Sequence, residues 1–176
     1  HRDNFIKLVK QKFYDSLLFH RVIQGFMIQG GDPESKYADT SVVLGNGGAP
    51  GDMIPAEFRQ DLYHKKGALA MARTDNPEKA SSNCQFYIVQ GKPYENDFLN
   101  QIECNIRGGG NTGFYYNDAE RKTYSTVGGT PFLDQNYTVF GEVIKGLDVI
   151  DKIAAVQKDS NDRPLVNIRM KMRMLN

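Results

Sequence analysis

The run Phe19-His20-Arg21-Val22-Ile23-Gln24-Gly25-Phe26-Met27-Ile28-Gln29-Gly30-Gly31-Asp32 sets a guanidinium and a primary amide, Arg21 and Gln29, among the large apolar side chains of Phe26 and Met27. Read as β-structure, it puts Phe19, Arg21 and Ile23 on one strand face and His20 and Val22 on the other. After a bend expected at Gln24-Gly25, Met27 and Gln29 again share a face. Each buried polar group needs a partner, so such a mixture builds a poor core. It suits a groove that grips an apolar ligand and polarises one bond in it. A second stretch has the same character: Gln85 and Tyr87 share one face, while Phe86 and Ile88 share the other. Taken singly, Phe26, Met27, Tyr87 and Leu133 would serve as core in any barrel, and Arg21 as half of an ion pair.

The elements that must position these groups are mostly strands. Strand-like segments fall at about 18–23, 26–31, 68–73, 85–90, 137–144 and 165–174. An amphipathic helix is expected over 3–14 and another over 146–156, where Leu147, Ile150, Ile153 and Ala154 recur at helical spacing. Strands, two helices and long irregular loops point to a β-barrel or sandwich with helical plugs. In the last strand, Val166, Ile168, Met170, Met172 and Met174 alternate with polar residues, which reads as a buried face rather than a soft-metal site. The glycine clusters at 45–48 and 108–110 lack the strand-to-helix setting and the Gly-Lys-Ser/Thr of a phosphate cradle, so they read as turns. The histidines show no metal-binding spacing, and no serine sits in a nucleophile elbow. His20, opposite Arg21 across its strand, reads as a packed or capping residue. No metal or cofactor is called for.

Composition narrows the partners. The chain has 176 residues, 40% of them hydrophobic and 24% charged, which suits one domain spanning 1–176. With 22 basic against 21 acidic residues the net charge is +1, arguing against a nucleic-acid partner. No apolar run reaches the length of a membrane span, and no signal peptide is visible. Cys84 and Cys104, the only cysteines, are expected to be free thiols.

The Phe19–Asp32 run resembles the signature of the cyclophilins, β-barrel peptidyl-prolyl cis/trans isomerases. Two further blocks resemble that family in order and spacing. One is Gly67-Ala68-Leu69-Ala70-Met71-Ala72-Arg73 followed by Ser82-Asn83-Cys84-Gln85-Phe86-Tyr87-Ile88; the other is Phe132-Leu133-Asp134-Gln135-Asn136-Tyr137-Thr138-Val139-Phe140-Gly141-Glu142-Val143. The resemblance implies a mainly β fold, a closed antiparallel barrel capped by two α-helices. It implies a proline pocket of Phe26, Met27, Tyr87 and Leu133, with Arg21 as the main catalytic group and Gln29 and Gln85 in support. Ala72 and Arg73 would lie along the groove, with Arg73 offering backbone hydrogen bonds, while Phe132 and Tyr137 flank the pocket. The partners implied are proline-containing peptides and unfolded or folding proteins. The alternative is a binding module that grips proline segments with little turnover.

The chain also departs from the family pattern. Phe132 stands where the family has tryptophan, and the chain has none, so weakened binding of cyclosporin is expected. Tyr137 replaces a common histidine, and Arg73 a common asparagine. About forty residues separate Ile88 from Phe132, an insertion at about 92–130 with a short helix expected around 95–106, then a glycine turn and Phe114-Tyr115-Tyr116. Loops this long are usually functional or disordered; the insertion is expected beside the pocket, where it would shape substrate choice, with a solvated ornament as the alternative. The family opens with two strands before its first helix, whereas this chain begins at that helix, as a fragment would. Similar insertions in envelope-located relatives incline the reading to an exported bacterial protein, with the cytoplasm as the alternative.

Overall fold

The computed structural model describes residues 1–175. Five short strands, β1 (Phe19–Ile23), β2 (Met27–Gly30), β3 (Ala68–Met71), β4 (Phe86–Val89) and β5 (Val139–Glu142), form one antiparallel sheet in the order β1-β2-β4-β3-β5. The backbone ladder runs from β1 to β5 without joining these two strands to each other. Helices α1 (Arg2–Lys10) and α4 (Leu147–Ala154) are the two expected from periodicity. Two more, α2 (Asn96–Gly108) and α3 (Asp118–Thr126), lie in the insertion. Among the described residues no helix is long and apolar enough to cross a membrane.

Side-chain alternation gives the sheet two working faces. On one, Phe86 and Met71 pack with Leu8 and Val9 of α1 and with Tyr14, and Val22 and Ile28 pack with Ile150 and Ala154 of α4. On the other, Met27, Ala68, Ala70, Tyr87, Val89 and Val139 form a separate cluster. Its rim is Phe26, Ala72, Leu133 and Tyr137, so the second core is also the floor of a groove.

Two turns place that floor. Ile23 to Phe26 is a tight turn closed by Phe26 N–H to Ile23 O at 3.0 Å, with Gly25 at φ +76, a conformation that favours glycine. The bend expected at Gln24-Gly25 is therefore real. The insertion leaves and returns at one point, where Lys92 N–H donates to Gly129 O at 3.3 Å and Gly129 N–H to Lys92 O at 3.0 Å. Beside it, a Cβ on Gly91 would lie 2.4 Å from Gly129 Cα, so only glycine allows the two segments to touch.

Three expectations are corrected. Phe19 does not share a face with Arg21: the register slips between them, and Phe19 packs with the cluster of Val22 and Ile28. A β-bulge that spends one extra residue turns the preceding side chain over. The first helix stops at Lys10 rather than 14, because the chain turns at Lys12 (φ +57) and brings Phe13 and Tyr14 to the core through the turn. The segment 165–174 forms no strand. It lies along the start of β1 through Met170 N–H to Leu17 O, Ser16 N–H to Met170 O and Phe19 N–H to Ile168 O. Only Ile168, Met170 and Met172 turn inward, and Val166 is 80% exposed.

Candidate active site

Arg21 sits opposite Gln29 in the β1–β2 register, and Gln29 sits opposite Tyr87 in the β2–β4 register. A directed chain of hydrogen bonds crosses these strands. The Nε2 group of Gln85 donates to the carbonyls of Gly45 (2.9 Å) and Gly47 (2.7 Å), which uses both of its protons. Its Oε1 is thereby aimed at Gln29 Nε2, 3.1 Å away. Gln29 Oε1 then accepts from Arg21 Nη1 at 3.5 Å. The amide orientations follow from the main-chain carbonyls at the end of the chain, which can only accept. On its other side, Arg21 Nε lies 3.9 Å from Asp162 Oδ2. The guanidinium is held from two directions while its side chain stays 42% exposed, so donors remain for a ligand.

The loop that receives Gln85 is itself fixed by Asp32. Its Oδ1 accepts Glu34 N–H at 2.8 Å, capping a 3₁₀ turn at Pro33–Lys36, and its Oδ2 accepts the N–H groups of Gly45 (2.5 Å) and Gly47 (3.4 Å). This glycine cluster is an irregular loop between the 3₁₀ turn and β3, and it frames the glutamine pair.

Arg21, Phe26, Met27, Gln29, Ala72, Arg73, Tyr87, Leu133 and Tyr137 line one small pocket of about 110 Å³. A second hollow of about 250 Å³ shares Gln29, Ala72 and Arg73 with it and adds Gln85 and the 45–51 loop. Phe132 stands at the outer edge, its ring 5.7 Å from that of Phe26. The structure thus gathers all eleven residues named from the sequence. Arg73 is tied down: Nε donates to Asn136 O at 3.0 Å, and the guanidinium lies 4.7 Å from the Tyr137 ring centroid. The main-chain N–H of Ala72 donates to Gln85 O and its carbonyl accepts from Ser82 N–H. The main-chain N–H and C=O of Arg73, a residue that lines both hollows, bond to nothing among the described residues.

Beneath the pocket runs a buried network that sequence reasoning missed. Asp134 Oδ1 accepts from His64 N–H (2.9 Å) and from His64 Nδ1 (2.7 Å), and its Oδ2 accepts from Tyr124 (2.5 Å) and Tyr116 (2.7 Å) hydroxyls. Because the carboxylate can only accept, His64 Nδ1 carries a proton toward it, and Nε2 lies 2.9 Å from the Tyr87 hydroxyl. Burial holds the Tyr87, Tyr116 and Tyr124 hydroxyls well above the usual phenol range, with the Asp134 charge adding to it, so they remain donors. Tyr116 and Tyr124 belong to the insertion. They also pack with Leu99, Ile102 and Phe114 into a core of its own.

Other misses have identifiable causes. Asp162 lies in a distant turn at φ +63, and nothing in its spacing links it to Arg21. The helix α3 did carry a signal: Asn117-Asp118-Ala119-Glu120 is a capping box, with Glu120 N–H on Asn117 Oδ1 and Asn117 N–H on Glu120 Oε2. His20 is buried, as a packed residue would be, with its ring beside Gly45. Neither of its nitrogens meets a hydrogen-bond partner among the described residues, and burial lowers its pKa to about 4. Cys84 (buried) and Cys104 (exposed) are both free thiols.

Comparisons with known proteins point to one family. A family model described as cyclophilin type peptidyl-prolyl cis-trans isomerase/CLD matches residues 1–173. A provisionally named peptidyl-prolyl cis-trans isomerase of Staphylococcus haemolyticus is 34% identical over 94% of this chain and 75% of its own. Its counterpart in Staphylococcus saprophyticus is 35% identical over the same shares. Among solved structures, a cyclophilin type peptidyl-prolyl cis-trans isomerase of Cryptosporidium parvum, crystallised in the presence of the dipeptide Ala-Pro, aligns with a TM-score of 0.63. It is 25% identical, covering 97% of this chain and 81% of that one.

Proposed function

The chain belongs to the cyclophilin-type peptidyl-prolyl cis/trans isomerases, enzymes that act on proline-containing peptides, and from that premise we propose that Arg21 is its catalytic group. The pocket of Phe26, Met27, Tyr87 and Leu133 takes the proline ring, and Gln29 and Gln85 act as positioning residues for the guanidinium. The observation that carries this is the hydrogen-bonded chain from the Gly45 and Gly47 carbonyls through Gln85 and Gln29 to Arg21 at the mouth of an apolar pocket.

The chemistry needs nothing more. Rotation about an X-Pro amide is opposed by a resonance barrier of roughly 18–20 kcal/mol, and no covalent bond breaks. In the twisted state the proline nitrogen becomes pyramidal and regains a lone pair, which a planar amide does not offer. A donor fixed at that position stabilises the twisted amide more than either planar form, and this difference lowers the barrier. Arginine suits the role because its planar fork stays charged and can be held rigidly. The apolar pocket fixes the ring. The unpaired main-chain groups of Arg73 are suited to hold the flanking chain, and Ala72 to let it approach. Phe132 and Tyr137 flank the ring.

The finer partner readings follow from the same residues. With Phe132 in place of an indole, the site lacks one donor for cyclosporin and should bind it weakly. Unfolded or folding proteins are the natural substrates of such an open groove, and near-neutral charge gives no reason to add nucleic acid. A protease-coupled assay on a proline tetrapeptide tests the proposal. The wild type should accelerate isomerisation and Arg21→Ala should lose nearly all of that acceleration. Binding without acceleration in the wild type would mean a proline-binding module instead.

A further inference from the structure

Phe132 is 39% exposed, an unusual state for a phenylalanine held between other rings. Its ring lies 5.7 Å from that of Phe26 on one side and 6.4 Å from that of Tyr94 on the other, and Tyr94 stacks on Phe98 of α2 at 4.5 Å. The wall is thus supported while one surface stays open. That surface faces a cleft of about 660 Å³ between the insertion and the segment after Phe132. From α2 and its C-terminal turn come Ile102, Asn105, Ile106 and Asn111; from the opposite bank come Phe58, Lys79, Gln135 and Asn136.

We propose that this cleft is a second substrate subsite, taking an apolar or aromatic side chain about two residues from the proline on the same peptide. The proposal rests on the reading that the ring occupies the pocket at Phe26. Reach decides the spacing: the 5.7 Å from Phe26 to Phe132 is covered by about two residues of extended chain at roughly 3.3 Å each. Lining chemistry decides the class. Phe58, Ile102, Ile106 and Phe132 offer apolar surface, while the amides of Asn105, Asn111, Gln135 and Asn136, each already holding one or two bonds within the protein (Asn111 Nδ2 to Gln135 Oε1 among them), keep spare donors or acceptors for a peptide main chain. Lys79 is the one charged residue of the lining. Its ammonium bonds Asn136 Oδ1 (2.7 Å) and Gln135 O (3.2 Å), which leaves a third proton for a substrate carbonyl or carboxylate. A peptide continuing from the pocket meets these needs, and continuity with the pocket edge at Phe132 selects it over an unrelated ligand. The insertion then does two things: it props the pocket through Asp134 and lengthens the groove through α2.

The test compares peptides with a common X-Pro core, carrying Phe or Ala two residues before or after the proline, and a short peptide lacking that position. Each is read as kcat/KM and as Kd by calorimetry. Wild type should favour one of the Phe peptides over its Ala partner by about tenfold, equivalent to ~1.4 kcal/mol. Asn105→Trp, at an exposed helical position, should fill the cleft and erase that ratio while leaving the short peptide unchanged. Asn111→Trp, from the turn that follows the same helix, should do the same. A Phe/Ala ratio within twofold in the wild type, or one that survives both fillings, overturns the subsite. Failure of the wild type to turn over the short peptide would overturn the Arg21 reading instead, and the Kd ratio would still judge the cleft.

Discussion

Removing the Asp134 carboxylate should damage the fold more than any other single polar change under the pocket. Asp134→Ala takes the acceptor from four donors: the His64 N–H and Nδ1 and the hydroxyls of Tyr116 and Tyr124. Tyr116 has a second acceptor in Pro131 O at 3.3 Å, so three donors are left without any. A stranded buried donor costs about 1–3 kcal/mol, giving roughly 3–6 kcal/mol once some relaxation is allowed. That is a large part of the 5–15 kcal/mol typical of a domain. Asp134→Asn should be milder, about 1–3 kcal/mol. Its carbonyl still serves His64, and the tyrosine hydroxyls can turn to accept from the amide, so mainly charge assistance is lost. Urea unfolding followed by far-UV circular dichroism measures both. An alanine variant within about 1 kcal/mol of the wild type would refute the claim that this carboxylate organises the junction of pocket and insertion.

Other perturbations follow from particular contacts. His20 is neutral in the fold with a pKa near 4 against 6.5 when unfolded, so the unfolded chain binds its proton first. Its contribution is complete above pH ~6.5 and is lost as pH falls to 4, a change of about 3 kcal/mol; His20→Phe should flatten the stability profile over that window, and an unchanged slope would contradict this. Gly91→Ala should cost about 2–5 kcal/mol in thermal or urea melts, combining a left-handed backbone at φ +66 with a Cβ driven into Gly129. Phe132→Trp should raise cyclosporin affinity at least tenfold by calorimetry, because it returns an indole N–H to the pocket edge; equal affinity would remove the missing-donor argument.

Much of the site was legible because strand parity carries chemistry directly. Arg21, Met27 and Gln29 fall on one face by counting, as do Gln85 and Tyr87, and the sheet places these groups side by side. Parity failed at Phe19, where a bulge consumed one residue of the count, and over 165–174, where alternation reflected three inward side chains on an extended segment rather than a strand. The insertion's limits were legible from its length, and its neck closes at Lys92 and Gly129. Its second helix was missed, although the Asn117–Glu120 capping box signals it. What no local pattern could supply were the long-range partners. His64 and Asp134 meet across seventy positions of chain, and Asp162 reaches Arg21 from a turn near the C-terminus. Such pairings are decided by packing, after the elements have formed.

The most direct test of the account separates holding the peptide from turning it. Nuclear magnetic resonance exchange on a proline peptide reports both the affinity and the cis/trans rate on the protein. Arg21→Gln keeps a polar side chain at the pocket mouth and removes the charged donor. It should bind the peptide nearly as the wild type does while the catalysed exchange falls by about 10²–10³, the usual effect of removing a preorganised donor. Exchange within about threefold of the wild type would contradict the central claim that the Arg21 guanidinium stabilises the twisted amide.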